Sequence, residues 1–297
     1  MCRREWIDMK EYVITTDDTC DMPESFYKEY QIPYVSLNCM VNGQTFNKDH
    51  RADPHEFYEW MRSGAMPTTS QVNAEDMKDC WLPYIKKGID ILHIGFSSGL
   101  SGSFNSARIA AEELMEEYPD VRIRVVDSLC ASMGEGLLLF YAVKQKEAGK
   151  TLDEVGDYLE ENKLHLCHVF TVDDLFHLHR GGRVSKLSAI VGTMVGIKTM
   201  LHVDNEGHLI LLSKTRGRKR ALSELVHMMD ERIGSYRDRN PAVFISHGDC
   251  EEDARLVADL VREKCQIEES RFNAIGATIG AHAGPGTVAL FFLGDHR

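Results

Sequence analysis

No apolar run in these 297 residues is long enough to cross a bilayer. The longest, such as Gly136 to Val143, fall far short of the roughly 20 residues a spanning helix needs. The stretch Met1 to Asp8 carries no apolar segment of the secretory kind. The eight cysteines (2, 20, 39, 80, 130, 167, 250 and 265) form no C-x-x-C pair and no regular framework, which argues against a zinc ribbon or a disulfide scaffold. Positive charge is also scarce. Thirty-four Lys and Arg against 46 Asp and Glu leave a net charge of −12, which repels nucleic acid and anionic membranes wherever no basic patch overrides it. There is no internal repeat, low-complexity tract or long linker. With 43% apolar and 27% charged residues the composition is globular. These absences point to a cytoplasmic protein with reduced thiols and no stable membrane insertion.

What is present is an alternation of strands and helices. Tyr12 to Thr16, Ile32 to Leu37, Ile89 to Phe96 and Val121 to Val126 read as strands. Between them, Ser103 to Tyr118 places Ala107, Ala110, Ala111, Leu114 and Met115 on one helical face, and Gly134 to Glu147 is apolar enough to be buried on two sides. This rhythm predicts an α/β fold whose first domain has a mainly parallel sheet flanked by helices. Thr151 caps a helix over Leu152–Asn162, and Leu164 to Val172 follows as a strand. Asp204 to Gly207 turns a hairpin between Ile197–Val203 and His208–Ser213. A helix over Arg218–Ile233, a strand over Ala242–Ser246, a helix over Glu251–Lys264 and a strand over Val288–Leu293 complete a second α/β domain. At roughly 150 residues per domain, the expected division is 10–170 and 171–297, the first carrying hydroxyl-rich loops and the second basic segments.

The most informative loop is Phe96 to Phe104. It offers Ser97, Ser98, Ser101 and Ser103 with two glycines at a helix start, where unpaired N–H groups and the helix dipole favour an anion. Pro67 to Gln71 is a second hydroxyl cluster, read as a turn followed by a helix cap. In Gly280 to Gly286, His282 stands in a turn of small residues that let a ligand approach the ring. Gly95 to Gly99 matches the G-x-S-x-G nucleophile elbow, but the helix starts several residues late and no oxyanion segment precedes it. Gly284 to Ala289 matches G-x-G-x-x-A but opens a strand, and no P-loop occurs. His165, Cys167, His168, His177 and His179 have no standard metal spacing, and strand alternation sends His165 and His168 to opposite faces, so no metal site is expected. Basic residues gather at Arg180/Arg183/Lys186 and from Lys214 to Arg220, two patches suited to an acidic partner or a phosphate-bearing ligand. Neither has the interleaved aromatics of a nucleic-acid site.

Six segments in order resemble the DegV family, fatty-acid-binding proteins that include the binding subunits of bacterial fatty acid kinase. They are Thr16-Asp-Asp-Thr19, Pro67-Thr-Thr-Ser-Gln71, Ser97-Ser-Gly-Leu-Ser-Gly-Ser103, Arg180-Gly-Gly-Arg-Val-Ser-Lys186, Lys214-Thr-Arg-Gly-Arg-Lys219 and Ala281-His-Ala-Gly284. The resemblance spans Tyr12 to Leu293. It implies two α/β domains enclosing one long-chain acid such as palmitate, stearate or oleate, with no further cofactor. It implies that Thr69 and Ser101 hydrogen-bond the carboxylate, that His282 lies beside it, and that Arg183 and Arg216 face a kinase subunit that phosphorylates the bound acid. The chain would then be a binding subunit and not itself an enzyme. It departs from the family at Asp18, where a serine is usual, at Thr199, where a proline is usual, and in Ser101-Gly-Ser-Phe104, where Ser-Gly-Thr-Tyr is usual. Thirteen methionines would suit an adaptable tail slot.

Two other readings stay open on the residues alone. One is a serine hydrolase using Ser97 with His282 as base. The other is a regulatory module that binds a partner or nucleic acid through Arg183 and Arg216 to Arg220.

Overall fold

The computed structural model describes residues 10–184 and 196–297. The apolar stretch Leu187 to Val195, and Ser185 and Lys186 of the basic segment, lie outside the described residues.

The chain begins with β1 (Tyr12–Asp17), α1 (Glu24–Glu29) and the two-residue β2 (Tyr34–Val35). A hairpin follows, β3 (Asn38–Val41) and β4 (Gln44–Phe46). Its turn residues Asn42 and Gly43 both have positive φ, as a tight two-residue hairpin requires. In α2 (Pro54–Arg62), Asp53 accepts the Glu56 N–H and Pro54 opens the first turn. Next come β5 (Thr68–Ser70) and α3 (Ala74–Ile85), the latter started by a reciprocal cap between Asn73 and Asp76. β6 (Asp90–Gly95), α4 (Ser103–Glu117), β7 (Ile123–Asp127), α5 (Met133–Glu147) and α6 (Leu152–Asn162) complete the first half. The second half runs β8 (Leu166–Val172), α7 (Phe176–Arg180), β9 (Ile197–Val203), β10 (Leu209–Arg216), α8 (Arg218–Ile233), β11 (Ala242–His247), α9 (Glu251–Cys265), β12 (Glu269–Ala274), α10 (Ala277–Ala283) and β13 (Val288–Leu293).

The first sheet is wholly parallel, in the order β2-β1-β6-β7. β6 is buried along its length, as a strand covered on both faces should be. The second sheet is mixed, in the order β10-β9-β8-β13-β11-β12, with only β11 and β12 parallel. A small antiparallel sheet, β4-β3-β5, stands apart from both. α5 is buried on nearly all sides. It packs against β1 and β6 and also against β8, β11 and β13, so one apolar core runs from Ile14 and Leu92 through Leu138 to Phe244 and Phe291. The two halves therefore bury apolar surface jointly.

Three features differ from the sequence expectation. β8 pairs with β9 and β13, so the division at 170/171 cuts a strand of the second sheet. Pro67 to Gln71 is no turn: Thr69 sits opposite Cys39 in the small sheet, a long-range pairing that three residues do not announce. His282 occupies the last turn of α10 and not a loop, because a run of Ala and Gly carries no apolar periodicity to betray a helix. Among the described residues, no helix is long and apolar enough to cross a membrane.

Candidate functional site

The β6–α4 loop is pinned by two carboxylates, the buried Asp17 and the half-buried Asp127. Asp17 accepts the Phe96 N–H at 3.0 Å, and Asp127 accepts the Ser98 N–H at 3.2 Å. The chain then folds tightly, with Leu100 and Ser101 both donating their N–H groups to the Ser97 carbonyl. Ser101 is carried to the start of α4, where its Oγ lies 2.9 Å from Ser103 Oγ and accepts the Ser103 N–H. Ser103 Oγ in turn accepts the Val72 N–H, tying this loop to the end of β5. Thr69, one residue inside β5, places Oγ1 2.8 Å from His282 Nε2 on α10. Thr69, Ser101 and His282 thus come from three separate elements and line one cavity.

About 780 Å³ of space, part of it open to solvent, lies within that cavity and its mouth. Phe96, Leu100, Phe170, Leu178, Ile279 and Phe291 supply much of its apolar wall. Among the described residues, no methionine lines it; Met77, Met133, Met200 and Met229 are fully buried core residues.

One short segment fastens all three polar elements. The Arg180 guanidinium donates to the carbonyls of Pro67, just before β5, and of Ala281, beside His282. Gly181 faces the His282 ring so closely that a Cβ there would fall 2.2 Å from Nδ1. Arg183 donates from Nε to the Leu100 carbonyl at 3.2 Å, next to Ser101. Arg183 and Arg216, expected on one docking surface, differ in exposure. Arg216 is exposed at the end of β10, whereas Arg183 is half-buried in the cavity wall. Charge alone suggested exposure for Arg183; backbone carbonyls hold it inside.

The cavity mouth is electrostatically suited to an anion. Burial pushes the His282 pKa down to about 4, and the Arg183 and Arg180 guanidiniums push in the same direction. The ring is therefore neutral near pH 7, and a carboxylate beside it would meet the field of Arg183 with no competing acid on the ring. Across the wall lies a different environment. Asp21 accepts Ser132 Oγ and the Gly276 N–H, Asp18 accepts Ser36 Oγ and the Leu37 N–H, and burial raises both pKa values to about 7. The departure at residue 18 therefore adds a half-buried acid that braces the β1–α1 turn and lies outside the head-group wall.

Ser97 is fully buried and donates to the Gly207 carbonyl at 2.9 Å, while His282 bonds Thr69. Nucleophile and base of the hydrolase reading are not paired. The His165–His179 set does not converge either: His165 Nδ1 lies against the Gly294 carbonyl, and His168 is buried beneath α5. Sequence reasoning missed Arg180 and Gly181 as organisers of the site, and it missed His168 as a cavity-lining residue.

A family profile described as "uncharacterised protein, DegV family" matches residues 11–295. The chain belongs to the DegV family. A DegV domain-containing protein of Clostridium perfringens is 44% identical over 291 residues, covering 97% of this chain and 99% of that protein. Among solved DegV structures, a lipid-binding protein of Thermotoga maritima is 30% identical with a TM-score of 0.81, covering 97% of this chain and 99% of that one. A fatty-acid-binding DegV protein of Thermus thermophilus is 27% identical with a TM-score of 0.85, covering 96% and 99%. The expected α/β architecture of two sheet-bearing halves is the architecture these relatives share.

Proposed function

We propose that this DegV protein holds one long-chain fatty acid, its carboxylate at Thr69, Ser101 and His282 and its tail in the apolar cavity. It presents that acid to a separate fatty acid kinase subunit, docked over a surface that includes Arg216. The observation that carries the reading is the meeting of two hydroxyls and a neutral imidazole on the wall of a mainly apolar cavity. The fatty-acid and lipid binding of the relatives supports it.

The physical division of labour is simple. A carboxylate accepts charge-assisted hydrogen bonds from Thr69 and Ser101, which fixes orientation. The tail supplies affinity: at about 0.8 kcal/mol per buried CH₂, ten methylenes contribute roughly 8 kcal/mol before the cost of ordering the chain. Arg183 adds a favourable field at the mouth and secures the Ser101 loop in the same contact. In the coupled reaction the kinase transfers the γ-phosphoryl group of ATP to a carboxylate oxygen, giving acyl phosphate and ADP. The chemistry stays on the kinase, and this chain is the carrier.

Calorimetric titration of delipidated protein with palmitate, stearate and oleate tests the binding half, with saturation at one acid per chain expected. Incubation of the oleate-loaded protein with a fatty acid kinase subunit, ATP and hydroxylamine tests the coupling half. Oleoyl hydroxamate that depends on both proteins is expected; its absence with an active kinase would remove the carrier role while leaving acyl binding in place.

A further inference from the structure

A second cavity opens at the carboxyl ends of β1 and β2, the end of an open parallel sheet at which ligands usually sit. About 1070 Å³ of space, part of it open to solvent, lies within it. Its walls come from the β1–α1 turn, α1, the chain after β4 and the junction of β12 with α10. Thr69, Ser101 and His282 take no part in it.

This wall is rich in acceptors and poor in donors. Asp18 and Asp21 both line it. Each carboxylate oxygen takes one hydrogen bond: those of Asp18 from Ser36 Oγ and the Leu37 N–H, those of Asp21 from Ser132 Oγ and the Gly276 N–H. A carboxylate offers about four acceptor sites, so half of each stays open. No cation among the described residues stands beside either acid to compensate its charge. Of the two cations that line the cavity, Arg51 is paired with Glu24 and Tyr34, and Lys48 is exposed.

Two further oxygens add to the acceptor set. Tyr27 lines the cavity and is 5% exposed, and its hydroxyl has no hydrogen-bond partner among the described residues. That oxygen is not one of the sealed, unpartnered polar atoms of the interior, so it opens onto the cavity. Burial first, and then neighbours that include Asp18 and Asp21, keep the phenol protonated. Asn273 spends its Nδ2 on the Asp21 carbonyl and leaves Oδ1 as another open acceptor.

We propose that this cavity binds a small organic cation, a primary ammonium on an apolar stem. Asp18, Asp21 and the Tyr27 hydroxyl take its three N–H donors, and the stem lies against Phe46. A metal ion suits the wall less well, because no third ligating side chain among the described residues converges with Asp18 and Asp21. The site is independent of the fatty-acid reading.

The test is calorimetric titration of the purified protein near pH 7 with phenethylamine and n-butylamine, and with 2-phenylethanol, n-butanol and Mg²⁺ as controls. At least one amine is expected to saturate at one per chain, and its alcohol to bind at least tenfold more weakly. Asp18→Asn should weaken the amine about tenfold or more, and Tyr27→Phe about fivefold, with oleate binding unchanged in both. The proposal is overturned if neither amine saturates, if the alcohol binds as tightly as the amine, or if either folded variant binds the amine like wild type. Saturation by Mg²⁺ without saturation by an amine would make this a metal site and also overturn it. Should Asp18→Asn not fold, Tyr27→Phe and the amine–alcohol comparison decide. Failure of the wild-type protein to bind oleate would count against the fatty-acid reading alone.

Discussion

Thr69→Val removes one hydroxyl and keeps the branched shape that β5 requires, so it isolates the head-group contact. In the structure Thr69 Oγ1 sits 2.8 Å from His282 Nε2. His282 Nδ1 has no partner among the described residues, so the variant leaves both ring nitrogens unpaired there and removes a donor from the carboxylate. A hydrogen bond to a charged group contributes about 1.5–3 kcal/mol, which predicts a ten- to hundredfold loss of oleate affinity. The tail contacts are untouched. Oleyl alcohol, with the same chain and no charge, should therefore bind the variant within about fivefold of wild type, since a bond to a neutral group is worth only about 1 kcal/mol. Calorimetric titration of both ligands into both delipidated proteins reads this directly. Equal losses for oleate and the alcohol would mean that the substitution damaged the cavity as a whole. An unchanged oleate affinity would remove Thr69 from the head-group site, and either result refutes the reasoning.

Gly181→Ala places a methyl against the His282 ring, and oleate affinity should fall while the melting temperature changes little; a variant that binds oleate normally would show that the ring is free to move. Ser97 should resist fluorophosphonate labelling, because its hydroxyl is buried and donates to Gly207; covalent capture there would revive the hydrolase reading. Asp21 has a folded pKa of about 7 against 3.8 in the unfolded chain, so its stabilising contribution is full below about pH 4 and is lost as pH rises through 7. Asp21→Asn cannot ionise, so its melting temperature should gain on wild type between pH 5 and pH 8; a constant difference would show that Asp21 does not titrate in that window. Arg216→Ala should spare oleate binding and reduce hydroxamate formation with the kinase, and the opposite pattern would move Arg216 into the pocket.

Much of the architecture was legible because it rests on local rules. The helix over Leu152–Asn162 shows its Thr151–Glu154 capping box in the sequence, and the α8 and β13 bounds follow from apolar periodicity and β-branched or aromatic runs. The apolar character of Gly134 to Glu147 correctly implied a helix buried on two sides. Other elements left weaker traces. Asn42 and Gly43 are a strong hairpin signal, but the flanking strands are too short to show alternation. In α10, Ala and Gly alone encode a helix that only packing against α2 and α7 explains.

The site followed the same division. Thr69, Ser101 and His282 were located by residue type and by family resemblance, and the structure brings all three to one cavity. The segment that fastens them was not legible in those terms. Arg180 and Arg183 look like surface cations in a sequence, yet they bond the carbonyls of Pro67, Ala281 and Leu100, partners that no side-chain pattern reveals. His168 could be assigned to one face of β8 by alternation, but not to a cavity, because what lies opposite that face is set by the distant start of α5.

Native mass spectrometry of the purified protein bears most directly on the central claim, that Thr69, Ser101 and His282 close an apolar cavity around one carboxylate. The account predicts a single added mass of one long-chain fatty acid per chain, lost from a Thr69→Val, Ser101→Ala double variant that remains folded. A protein that is empty as purified and also takes up neither oleate nor palmitate when they are supplied would contradict it.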